Sequence, residues 1–305
     1  MTQPEELEPD EEVLAYEETA VAQVCAGLAA AVAPIVASAL AAFAAGATAG
    51  ALTSLVQSAL RRMRWPVMTP KLREVAAGAV ALGMRRAGPR VRAPRPELEV
   101  PDLDEVTRIR VRSAVDLAGD LPMETKADLN AVIGRISAVR SRAEGQVRWT
   151  ANEGVNAGIT AVARKLKAGV IWIPERDACL DCLAYAGWSV PAGESFPSGL
   201  TFGDKPGGQE GMRYPPLHPN CRCQVQVWRG EIGPPPRGRS AVDPAARLAA
   251  EARRSVVYGW TAHESQAATL RAMSRLLDRG AALPASVERR ARDLARQGRT
   301  LDPPR

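Results

Sequence analysis

The run His218-Pro219-Asn220-Cys221-Arg222-Cys223-Gln224-Val225-Gln226-Val227-Trp228 carries two patterns at once. From Gln224 to Trp228, polar and apolar residues alternate, which predicts a half-buried strand. Just before it, His218 and Cys221 are separated by two residues. Cys221 and Cys223 fall on the same face of an extended chain. A counterpart lies upstream, in Cys179-Leu180-Asp181-Cys182. Cys-x2-Cys is the knuckle spacing that lets two thiolates reach one tetrahedral zinc ion.

These two half-sites, 38 residues apart across a Gly/Pro-rich loop, read as one closed structural Zn2+ site. Five candidate ligands face four positions. Cys179, Cys182, His218 and Cys221 form the preferred set, with Cys223 as the substitute. Two disulfides, or buried free thiols, are the alternatives that the same spacing leaves open. A cysteine nucleophile with His218 as its base would need an orienting group and an oxyanion-hole loop, and the sequence offers neither. No catalytic residue and no organic cofactor site are therefore assigned. Gly207-Gly208 follows no strand and precedes no Gly-Lys-Ser/Thr, so it is a loop and not a phosphate cradle. His263 stands alone and reads as a partly exposed surface histidine.

Working outward, Val170-Ile171-Trp172-Ile173 is a short β-like run that Pro174 ends. Composition changes near Ala168, with helical patterns before it. One helix is expected over Ala143–Lys167. Another is expected around Leu129, Val132, Ile133, Ile136 and Val139, whose spacing marks an amphipathic face. A third begins at Glu105, capped by Asp104, with Val106, Ile109, Val111, Val115 and Leu117 as its apolar positions. Residues 13–88 read as helical with a break near Trp65-Pro66 to Thr69-Pro70. The chain thus divides into an acidic flexible arm (1–18), an Ala-rich helical region (19–88) and a linker (89–103) containing Pro89, Pro94, Pro96 and Pro101. A helix-then-β segment (104–230) and a basic helical region (231–305) follow. The expected class is α+β, mostly α-helical, with a small zinc-clipped β-module in the second half.

Charge follows this division. Residues 1–18 hold eight acidic groups and no basic one, and residues 19–60 hold no charge at all. Residues 61–95 hold ten basic groups against Glu74, and residues 241–305 hold twelve against seven. Basic helical blocks of this kind can meet DNA or an acidic partner, or simply form solvated faces. The uncharged stretch Thr19–Leu60 passes the length cue for a membrane span. However, it is built from alanine, which barely drives insertion, and it is interrupted by Pro34. It is therefore read as two or three packed helices, with Cys25 a small buried core residue. The acidic N-terminus is not a secretory leader. With 46% hydrophobic and 24% charged residues, wholesale disorder is excluded. Five cysteines are too few for a disulfide-built secreted scaffold.

The cysteine segments carry a family resemblance. Glu175 through Cys182, the following Gly187, and Tyr214-Pro215-Pro216-Leu217-His218-Pro219-Asn220-Cys221-Arg222-Cys223 resemble the signature of the phage Mu F-like (MuF) minor head proteins. Upstream, Arg142-Ala143-Glu144 to Arg148-Trp149-Thr150 and Glu153 to Asn156 are similar to that family's helix. They depart from it by Trp149 and by Ala151-Asn152. The resemblance spans roughly residues 105–230. It implies a minor capsid component of a tailed phage or prophage, made in the bacterial cytoplasm and residing in the virion head. Its implied partners are the portal protein and other capsid or scaffold proteins, with packaged DNA reachable by the basic blocks. It implies no enzymatic activity and no small-molecule substrate.

Overall fold

The computed structural model describes residues 11–174, 181–182, 185, 187–200, 211–218 and 221–233. Residues 1–10 of the expected acidic arm, Cys179, Gly207-Gly208, and everything beyond 233, including His263 and the C-terminal basic block, lie outside the described residues; residues 11–18, expected as the rest of a flexible arm, are instead the helical start of α1. Five helices precede three strands: α1 (Glu11–Ala44), α2 (Ala49–Arg62), α3 (Thr69–Ala87), α4 (Leu103–Asp120), α5 (Lys126–Lys165), β1 (Gly169–Ile173), β2 (Ser189–Pro191) and β3 (Gln224–Trp228). The fold is α+β, mostly helical, with a small antiparallel sheet in the second half, as the sequence predicts.

The chain forms two compact units. The first comprises Leu14–Gly78 and Glu97–Ala151. Its interior is a continuous aliphatic core. α1 contributes Val24, Leu28, Val32 and Ile35; α2 contributes Leu52, Val56 and Leu60; α5 contributes Leu129, Val132, Ile136, Val139, Ala143 and Val147. These positions recur every three or four residues, so each helix turns one stripe inward. Leu28, Leu52, Leu60 and Leu129 are each no more than 1% exposed. Burial of each such side chain contributes about 1.5–3 kcal/mol. Cys25 is buried among them, as expected.

Three local expectations are corrected in this unit. Pro34 does not break the Ala-rich stretch, and α1 runs through it for 34 residues. By length and composition α1 could cross a membrane, while its Val24–Ile35 stripe is buried in the helical core. The helix around Leu129–Val139 and the helix over Ala143–Lys167 are one 40-residue helix, α5. The cap of α4 is Asp102, whose side chain accepts from the Glu105 N–H at 3.0 Å. Asp104 serves a different helix, accepting from the backbone N–H groups of Met68 (2.7 Å) and Thr69 (3.3 Å) at the start of α3. Thr69 closes the link by donating to Asp102 at 3.1 Å and accepting from the Asp104 N–H at 3.1 Å. Each helix start thus satisfies orphan donors of the other. The Glu105 N–H and the Thr69 hydroxyl hold the Asp102 carboxyl below its usual range. With this start, α4 buries Leu103, Thr107, Val111, Ala114, Val115 and Ala118, and leaves Val106 and Ile109 exposed.

The second unit comprises residues 79–96 and 152 onward, with a few residues from the start of α1. Here the end of α3 meets the end of α5 backbone to backbone. A Cβ on Gly83 would fall on the Val155 carbonyl, and one on Gly158 would fall on the Val80 carbonyl and lie 2.8 Å from the Met84 nitrogen. Only glycine permits that approach. The sheet has the order β2-β1-β3, with Gly169 paired to both Pro191 and Trp228. Beyond β2, Ser189 and Gly233 exchange backbone hydrogen bonds of 3.0 and 3.1 Å. Trp172 of β1 packs with Tyr185 and Phe196, one ring pair tilted and two edge-on, with centroids 4.9 to 6.4 Å apart. Gly187, at φ 77°, makes the turn that lets its N–H reach the Trp172 carbonyl.

Candidate metal centre

Cys182 sits in a short helical turn, whereas Cys221 and Cys223 lead directly into β3. The Pro-Pro-Leu-His segment before Cys221 contains a cis Pro215–Pro216 bond. The Cys221 N–H turns back onto the His218 carbonyl at 3.0 Å. This turn brings the imidazole and the thiol to the same place. Pairing of β3 with β1 then fixes where the Cys221-Arg222-Cys223 segment enters.

The three sulfurs of Cys182, Cys221 and Cys223 lie within 4.8 Å of one another. The Cys182 and Cys221 sulfurs are 3.5 Å apart, and His218 Nε2 is 3.3 Å from the Cys182 sulfur. All three cysteines are at least 95% buried. None of the described cysteines forms a disulfide. A sulfur pair at 3.5 Å is far outside the bonded distance of about 2.05 Å. It is near the separation of about 3.8 Å that two thiolates take at 2.3 Å from one tetrahedral centre.

The electrostatics favour a thiolate. Hydrogen bonds from the Cys182 and Cys223 thiols hold Cys221 well below the ordinary thiol range. A backbone hydrogen bond from Leu217 and the neighbouring His218 imidazole act in the same direction, against the cost of burial. These three cysteines could hold a metal ion. Of the five ligands read from the sequence, the structure brings together Cys182, Cys221 and Cys223, and sets His218 against Cys182. Cys179 lies outside the described residues.

One participant was not singled out from the sequence. Asn156, wholly buried on α5, donates from its side-chain amide to the Cys223 carbonyl at 3.2 Å and accepts from the Val225 N–H at 2.7 Å. Its signal was available. Asn152, Asn156 and Thr160 form a polar line at four-residue spacing, all three buried, in a stretch of α5 whose other buried residues are apolar or glycine. Compared with known proteins, the chain matches no family model, no curated protein and no solved structure.

Proposed function

We propose that this chain is a minor head protein of a tailed phage or prophage, of MuF-like type, and that Zn2+ clips its sheet unit through the cysteine cluster. The supporting observation is that residues bearing the resemblance, though 39 positions apart, meet as buried sulfurs. A soft, thiolate-rich donor set with an imidazole beside it suits tetrahedral zinc better than oxygen-seeking cations. Cys182, Cys221 and Cys223 would hold the ion, with His218 the nearest fourth donor. The zinc would act structurally, replacing the apolar core that such short strands cannot supply. The role is assembly at the portal vertex, with portal and capsid or scaffold proteins as partners, and no chemical step is assigned.

The test is quantitative mass spectrometry of purified virions and of immature heads from the same lysate. A few copies per particle in both supports a resident head protein. Presence only in immature heads makes it an assembly factor. Absence from both removes the head-protein reading. A zinc-stabilised nucleic-acid-binding protein is the second reading, favoured by the exposed cations Arg61, Arg62, Arg64, Lys71 and Arg73. It requires DNA affinity of the isolated chain that falls steeply with salt.

A further inference from the structure

We propose that Asn156 is the positioning residue of the metal centre, clamping the ligand-bearing entry of β3 from outside the sheet. The inference rests on the reading that the cysteine cluster binds a metal.

β3 is an edge strand, paired on one side with β1. On an extended chain, the C=O of one residue and the N–H two residues later point to the same side. Asn156 satisfies such a pair on β3. Its Nδ2 donates to the Cys223 carbonyl, and its Oδ1 accepts from the Val225 N–H. The amide therefore occupies the place where a neighbouring strand would bind. Its remaining donor capacity goes to Asn152, with Nδ2 2.9 Å from the side-chain oxygen and 3.0 Å from the carbonyl oxygen. Because Val225 can only donate there and the Cys223 carbonyl can only accept, the orientation of the amide is dictated by its partners.

No other common side chain of that size offers one donor and one acceptor in this geometry. Aspartate keeps the acceptor but sets a carboxylate against the Cys223 carbonyl, and leucine keeps only the volume. Metal–ligand distances in a well-formed site fall within about 0.2 Å of their ideal values. Fixing the Cys223 carbonyl thus fixes a ligand residue itself. Partners outside the ligand shell typically change metal affinity about 10–100-fold.

The test uses the full chain, stripped of metal, titrated with Co2+ and then competed with Zn2+. Asn156→Asp should bind Co2+ 10–100-fold more weakly than the unsubstituted chain, with altered d–d and thiolate-to-cobalt bands. Thr160→Val removes a comparable buried hydrogen bond, the 2.8 Å bond to the Asn156 carbonyl, yet spares the amide. It should bind with unchanged affinity and spectrum. Equal affinity and spectrum for Asn156→Asp, or equal weakening by Thr160→Val, overturns the positioning role. If the unsubstituted chain takes up neither metal, the metal reading itself fails and the clamp with it. Should Asn156→Asp not fold, the unsubstituted chain labelled with 15N-asparagine decides. The Asn156 side-chain NH2 signals should shift, and exchange more slowly, on zinc loading; signals unmoved by bound zinc overturn the proposal.

Discussion

The helical unit and the sheet unit reach a buried interior by opposite means. The helical unit buries many interchangeable aliphatic side chains, drawn from α1, α2, α4 and α5 at three- and four-residue spacing. The strands of the sheet unit are five, three and five residues long. Beside buried aliphatics such as Val170, Ile171, Ile173 and Val225, their packing uses one aromatic trio, three thiols and one asparagine amide. A distributed core degrades by increments when one residue changes, because neighbours relax. The directional groups of the sheet unit have no such reserve, since each lost partner leaves a buried polar group unsatisfied.

The largest effect that could break this contrast is removal of the proposed zinc. A chelator, or Cys221→Ser, should abolish the near-ultraviolet circular dichroism of the Trp172–Tyr185–Phe196 cluster. It should unfold the sheet unit and leave most of the far-ultraviolet helical signal. One cooperative transition, indifferent to chelator, would show that the two units do not differ as described.

A smaller effect comes from the other side. Leu129→Ala, at a fully buried position of α5, should cost about 3 kcal/mol in urea unfolding. Metal stoichiometry, read by native mass spectrometry, should not change. Loss of bound metal in this variant would mean that the distributed core and the directional one are not separable.

The smallest effect sharpens the contrast through pH. Burial, reinforced by Glu144 and opposed by Arg148 and Arg140, pushes the Cys25 thiol up to about 11. The folded chain therefore holds this proton more tightly than the unfolded chain. Its stabilising contribution is complete below the ordinary thiol value of about 9 and is lost as pH rises toward 11. Tyr16, raised by burial, adds to the same alkaline slope. Cys25→Ala should flatten the decline of the urea midpoint between pH 9 and 11. An unchanged slope would assign it to other groups.

Much of this was legible because it was local. The β3 alternation, the β1 run and the Leu129–Val139 stripe are patterns within a few residues, and each is found where the spacing places it. The doubled cysteines announced a meeting that the structure supplies for Cys182, Cys221 and Cys223, with His218 against Cys182. What escaped was set by distant partners. Ser189-Val190-Pro191 is too short to read as a strand and exists because Gly169–Ile171 pairs with it. Asp104 was a plausible cap for its own helix, and only the approach of Met68 and Thr69 shows which helix it serves. Asn156 belongs to a helix by sequence and to a sheet edge by hydrogen bonding. Pro34 was overridden because α1 gains more from its buried stripe than one missing hydrogen bond costs.

The sheet has two outer margins, and among the described residues each is met by a contact. Gly233 answers Ser189 on the β2 side, and the Asn156 amide answers Cys223 and Val225 on the β3 side. An uncovered margin is a template on which a second chain can add a strand, the usual beginning of runaway association. By engaging each margin near where an incoming strand would start, these two contacts deny such growth its first rung. The same amide that bonds the Cys223 carbonyl and the Val225 N–H thereby helps keep neighbouring copies of the protein from zippering together.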